Sequence, residues 1–202
     1  MIKGFKSKYY LLFIIPSAFL FYIIAIILNC PHNLIYAQSS NNNSLSTYQN
    51  STYGITIKYP PDWNVVESSA IKGTDIDIAT FISPNQIDNA IVDIYKDKKD
   101  IIDKDTSTYL NSTISLYKND LKDFKIIESS TNNLLAGSNV AYKLIYTYTT
   151  GDGFKMKDFE TGAIIENKKY RIVYDGKESV FDSYLPLVQD MINTFKISST
   201  DN

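Results

Sequence analysis

Past residue 37, the side chains able to do chemistry are serine, threonine, tyrosine, lysine, aspartate, glutamate and one arginine, Arg171. The single histidine, His32, and the single cysteine, Cys30, both precede that point. Ser-His and Cys-His nucleophile pairs, zinc sites built on His or Cys, and disulfides are therefore closed to the remainder of the chain. The densest cluster that could do chemistry is acidic: Asp93, Asp97, Asp100, Asp103 and Asp105. A hard cation such as calcium takes six to eight oxygen ligands, so this run is the best candidate for a metal site. It departs from the EF-hand pattern, with Thr108 where the turn glycine belongs and Ile114 where the bidentate glutamate belongs. Lys96, Lys98, Lys99 and Lys104 interleave with the acids and repel a cation. The expectation is a solvated loop ending in a helix cap, with no bound metal or cofactor and calcium as the one ion the run suggests. Asp75 and Asp77 share a strand face, expected to be a solvent-facing edge. No Gly-x-Ser-x-Gly, phosphate-binding loop or dinucleotide fingerprint occurs, and the expectation is a protein that is not an enzyme.

The elements that must position these residues are set by periodicity. Ile55, Ile57 and Tyr59 alternate with polar residues until Pro60-Pro61 stops them. Trp63–Glu67, Asp75–Ser83 and Ala90–Tyr95 read as further strands. The period then changes. Leu110, Ile114, Tyr117 and Leu121 form one stripe of a helix that Asp105 or Thr106 can cap. Strands are expected at Phe124–Ser129, Asn139–Thr149 and Phe154–Glu166, the last two joined by a glycine-bearing turn, and then at Tyr170–Asp175. Phe181 to Phe195 carries a second apolar stripe, with Pro186 placed in its first turn. The connections are too short for parallel crossovers, so the sheet should be mainly antiparallel. Tyr142, Leu144 and Tyr146 line one face and Ala141 and Ile145 the other, which implies cover on both. The fold class is α+β: a central antiparallel sheet with helices on both faces.

The N-terminal segment sets the compartment. Lys3, Lys6 and Lys8 precede an uncharged run from Tyr9 to Leu28. A signal peptide and a membrane helix both fit residues 1–37, and a lipid anchor at Cys30 is a third reading. All three place the chain from residue 38 onward on the outside face of the cytoplasmic membrane, anchored through residues 9–28 or secreted. Residues 38–47 read as a flexible polar tether, residues 48–197 as one domain and residues 198–202 as a polar tail. Sequons at Asn42, Asn50 and Asn111 are glycosylation candidates. Without the first 37 residues, 17 Lys and Arg face 22 Asp and Glu, a charge of −5 that argues against nucleic acid as a partner.

Tyr53-Gly54-Ile55-Thr56-Ile57-Lys58-Tyr59-Pro60-Pro61-Asp62-Trp63 resembles the opening signature of the PsbP-like family. Phe81-Ile82-Ser83-Pro84, Leu135-Ala136-Gly137, Tyr184-Leu185-Pro186 and Met191–Phe195 resemble its later landmarks, in order and spacing from Tyr48 to Ile197. The resemblance implies an α/β/α sandwich. Photosynthetic members are non-catalytic assembly factors that help retain calcium, chloride and manganese. The histidines some of them use for metal, and the charged extension by which plant members dock, have no counterpart here.

Two functions stand as expectations. The first is a non-enzymatic extracytoplasmic accessory or assembly module with a protein partner in a membrane complex, which requires an exposed apolar patch. The alternative is an envelope binder of a small ligand or a calcium-type ion, which requires a pocket of ~300–1,000 Å³.

Overall fold

Turn chemistry and alternation build most of the strands in the structure, a computed structural model that describes residues 45–68, 71–72, 75–84, 90–97 and 105–198. The strands before the first helix are β1 (Ser46–Asn50), β2 (Ile55–Tyr59), β3 (Asn64–Glu67), β4 (Ile71–Lys72), β5 (Asp75–Ile82) and β6 (Ala90–Asp97). Helix α1 (Thr106–Asp120) leads to β7 (Lys122–Leu135), β8 (Asn139–Thr149), β9 (Lys155–Ile165) and β10 (Lys168–Lys177). Helix α2 (Phe181–Asn193) and β11 (Lys196–Ile197) close the chain. The pairings among described residues are all antiparallel.

Two sheets form where one was expected. The larger has eight strands in the order β3-β5-β6-β10-β9-β8-β7, with β4 also on β5, and the smaller has the order β1-β2-β11. The small sheet escaped the sequence reading because β1 is cut from an Asn/Ser/Thr-rich stretch. It starts at Ser46, inside the segment read as tether, and buries one large side chain, Tyr48. Pro186 lies inside α2 and not in its first turn. Residues 1–44, with the leader or anchor at 9–28 and the sequon at Asn42, lie outside the described residues. Among the described residues no helix is long and apolar enough to cross a membrane.

Register sorts the side chains. On one face of the large sheet Ala141, Ile145, Phe159, Ala163, Ile172 and Tyr174 join the main core, which also takes Phe181, Val188, Met191 and Ile192 of α2. Ile172, Phe181, Val188 and Met191, fully buried, each contribute roughly 1.5–3 kcal/mol relative to exposure. Trp63 is a core anchor, edge-on to Tyr184 at 6.2 Å. On the other face Tyr142, Leu144 and Tyr146 of β8 pack with Leu110 of α1, and Ile114, Tyr117 and Leu121 close around them. Asp105 caps α1, its carboxylate accepting from the backbone N–H groups of Ser107 and Thr108. The β9–β10 turn places Glu166 (φ 50°) and Asn167 (φ 64°) in the left-handed region that a two-residue hairpin needs.

Gly162 stands directly across from Tyr142, and a Cβ there would come within 2.6 Å of the ring. The Gly162→Ala variant should lose about 1–3 kcal/mol, because the fully buried ring has no room to retreat. Urea unfolding reads this directly, and an unchanged midpoint would mean that the ring repacks freely.

Candidate functional site

The large sheet segregates charge between its faces. Adjacent strands bring seven carboxylates to the Tyr142 face: Asp75 and Asp77 on β5, Asp93 and Asp97 on β6, Asp158 and Glu160 on β9, and Asp175 on β10. Their centre is Glu160, which is 0 % exposed. Its carboxylate accepts from the hydroxyl of Tyr117, at 2.6 Å, and from that of Tyr142. Burial pushes both phenols well above their ordinary value, so they stay protonated and donate. Arg171 answers the charge. Its guanidinium donates to Asp75 Oδ2 at 2.8 Å and to Tyr117 Oη at 3.0 Å, lies 3.9 Å from Glu160 and stacks 4.7 Å above Tyr95. This network ties α1 to β9, β10 and β5 at once.

Two carboxyl pairs flank it. Asp158 and Asp175 are direct cross-strand neighbours, and Asp158 is 2 % exposed. Burial first, and the adjacent Asp175 second, raise the Asp158 carboxyl well above the usual range. Asp75 and Asp97 are likewise opposed, and Asp97 is pushed up to about 6 by burial and by Asp75, with Lys169 at 3.8 Å working against the shift.

Of the acids singled out in sequence, the three that are described, Asp93, Asp97 and Asp105, do not converge. Asp93 accepts from Thr80 Oγ1 at 2.5 Å, Asp97 belongs to the pair with Asp75, and Asp105 is the exposed cap of α1. Asp100 and Asp103 lie outside the described residues. Among the described residues no three acids form a group that could hold a metal ion. Asp75 and Asp77 are not on a solvent-facing edge. The strand β5 lies between β3 and β6, so Asp75 meets Arg171 and Asp77 is buried. Of the sequons, Asn50 has its side chain engaged, donating to Tyr48 Oη at 3.1 Å and accepting from Tyr53 N–H at 3.2 Å, while Asn111 is exposed on α1. The chain holds two Ser-x-x-Lys spacings. Ser115 and Lys118 are both exposed on α1, and Ser69 of the other lies outside the described residues.

The opposite face differs at its outer strands. Register puts Lys122 and Lys125 of β7, Lys143 of β8, and Lys155 and Lys157 of β9 on the Phe159 side. Lys143 pairs with Glu128 and Lys157 with Asp182, each at 2.8 Å. A hollow of about 210 Å³ lies beside this row, between β7 and the C-terminal half of α2. Another of about 270 Å³ borders β1, β2 and Ser198. Both fall below the size expected of a ligand pocket.

Exposed apolar residues concentrate at the free edge. Of the large hydrophobics that stay exposed, Ile126, Ile127 (59 %), Leu134 (63 %) and Val140 (58 %) belong to the β7–β8 hairpin. Three one-residue bulges make β7 longer than its partner, which bends the edge and breaks its ladder.

The PsbP family model matches residues 43–197. The chain belongs to the PsbP family. Among solved structures it is similar to the cyanobacterial PsbP, CyanoP, of Synechocystis sp. PCC 6803, with 17 % identity, a TM-score of 0.56, and coverage of 80 % of this chain and 99 % of that one. LpqN of Mycobacterium tuberculosis, described as involved in cell envelope biogenesis, gives 14 % identity and a TM-score of 0.53 over 78 % of this chain and 87 % of its own. A Pseudomonas aeruginosa protein of unknown function gives 12 % and 0.51 over 78 % and 99 %. At these identities the likeness is one of fold, so the PsbP fold is shared by all three. No curated protein matches the sequence.

Proposed function

We propose that this PsbP domain is a non-enzymatic, extracytoplasmic accessory module that docks a protein partner in a membrane-associated assembly. The observation that carries this reading is the β7–β8 hairpin, where Ile127 and Leu134 of the edge strand and Val140, opposite Leu134, are exposed. Large apolar side chains left exposed on one hairpin of a net acidic domain support a binding surface. The reading draws further support from the polar interior: the buried Glu160–Arg171 network has its partners inside the fold and leaves its acids committed to holding α1. With α1 packed on the Tyr142 face and α2 on the Phe159 face, as in an α/β/α sandwich, the unpaired edge of β7 remains open. The basic, apolar N-terminal segment and the envelope role ascribed to LpqN support placement outside the cytoplasmic membrane.

Photo-crosslinking residues placed at Ile127 and Leu134 of the full chain should give one discrete adduct in native membranes. The same residue at Asn111, exposed on α1, should give none. Adducts of equal yield from all three positions, or from none, would overturn the docking reading.

A further inference from the structure

We propose that the trough between α2 and β7 receives an extended, carboxylate-bearing segment of the protein partner, a reading that rests on the docking function above. Its floor is the Phe159-side row of β9, buried at Thr161 and Phe159 and opening at Lys157 and Lys155, with Lys143 of β8 beside it. One wall is β7, with Asn133, Glu128, Lys125 and Lys122 on this face, and the other is α2, with Gln189, Ile192 and Asn193 at the hollow.

Charge complementarity identifies the occupant. Five lysines on this flank face Glu128 and Asp182, each already bound to one lysine at 2.8 Å, and Glu178, which follows β10 opposite Lys155. Lys122, Lys125 and Lys155 are exposed and have no ion pair among the described residues. This surplus stands out on an exported portion whose 17 Lys and Arg face 22 Asp and Glu, and it selects an anionic partner.

Spacing identifies the conformation. Lys155 and Lys157 are two apart on one strand, so their stems stand roughly 6.5–7 Å apart along it. An extended chain repeats its same-face side chains at that distance, so a carboxylate set on exposed Lys155 brings the next one to Lys157, where it shares the ammonium with Asp182. At the other end Asn133, Gln189 and Asn193 offer amide donors and acceptors for a peptide backbone, and the hollow of about 210 Å³ beside Ile192 holds one apolar side chain. The bulged ladder of β7 disfavours simple addition of a strand to the edge, so the segment lies across the face. A trough walled by a helix suits a chain better than a flat lipid surface.

The test uses the full chain in uncharged detergent and a fluorescein-labelled decapeptide of alternating Glu and Val, read by anisotropy at low salt. The peptide should bind, and the double reversal Lys125→Glu/Lys155→Glu should weaken binding about tenfold or more. Lys118→Glu, on exposed α1, should leave it unchanged. Added salt at 0.5 M should weaken the wild-type complex, as screening requires. The lysines are exposed, so an unchanged circular-dichroism melt should accompany the loss. Absence of peptide binding, equal binding by the double reversal, or reversal-sensitive binding to phosphatidylglycerol vesicles but not to the peptide would each overturn the proposal. Loss of the Ile127 crosslink would remove the docking reading itself. A surviving crosslink without peptide binding would remove only the acidic segment.

Discussion

Replacing Arg171 with methionine should cost about 3–5 kcal/mol of folding stability, the penalty for leaving buried carboxylates without their cation. Glu160 is fully buried and Asp75 is held at 2.8 Å, so both lose the same partner in one substitution. For a domain of this size the thermal midpoint should fall by roughly 10 °C. Tyr117→Phe removes one hydroxyl that donates to Glu160 and accepts from Arg171, so the two substitutions should be non-additive in a double-mutant cycle. Urea unfolding of the single and double variants supplies the numbers. An Arg171→Met loss below about 1 kcal/mol would show that Glu160 is satisfied by the phenols alone.

The second large effect is one of sign. Asp158→Asn should stabilise the domain at neutral pH and flatten its pH profile. The Asp158 carboxyl sits well above its ordinary value in the native state, because of burial and the adjacent Asp175. An unfolded aspartate loses its proton near pH 4. Between that pH and the native value the folded state binds more protons than the unfolded chain, so stability falls as pH rises. Within that window the loss is about 1.4 kcal/mol per pH unit. The Asp97 carboxyl, pushed up to about 6, acts in the same direction between about pH 4 and pH 6. Asp105 acts in the opposite direction: its hydrogen bonds from Ser107 and Thr108 lower it to about 2, so its contribution is lost only as pH falls from about 4 toward 2. Chemical denaturation from pH 2 to pH 8 on wild type and Asp158→Asn separates these contributions. Parallel profiles would place the titrating proton elsewhere.

The elements that were legible in the sequence are those whose patterns are local. The stripe Leu110, Ile114, Tyr117, Leu121 specified α1, and strict alternation from Asn139 to Thr149 specified β8 and both of its faces. The strand β7 was read at less than half its length because each bulge resets the alternation, and three of them leave no sustained period. The candidate site was largely hidden. Arg171, Asp75, Tyr117 and Glu160 come from four elements, and their meeting depends on the strand order β5-β6-β10-β9, which no local pattern encodes. Asp75 and Asp77 show the cost: alternation placed them on one face correctly, but only pairing on both sides of β5 reveals that the face is interior. The lysine flank was invisible for the same reason, its members being scattered from Lys122 to Lys157.

The pairing of β11 with β2 ties the order of synthesis to the order of folding. Lys196 lies opposite Thr56, Ile197 opposite Ile55, and the Ser198 N–H donates to Gly54 O at 2.7 Å. A ribosome adding about 5–20 residues per second makes β2 on the order of ten seconds before β11. Throughout that interval one edge of β2 is bare, and the small sheet has only a single hairpin, marginal on its own. The small sheet therefore stays incomplete at this end until its last strand is delivered, an interval in which it is vulnerable to proteases if delivery stalls.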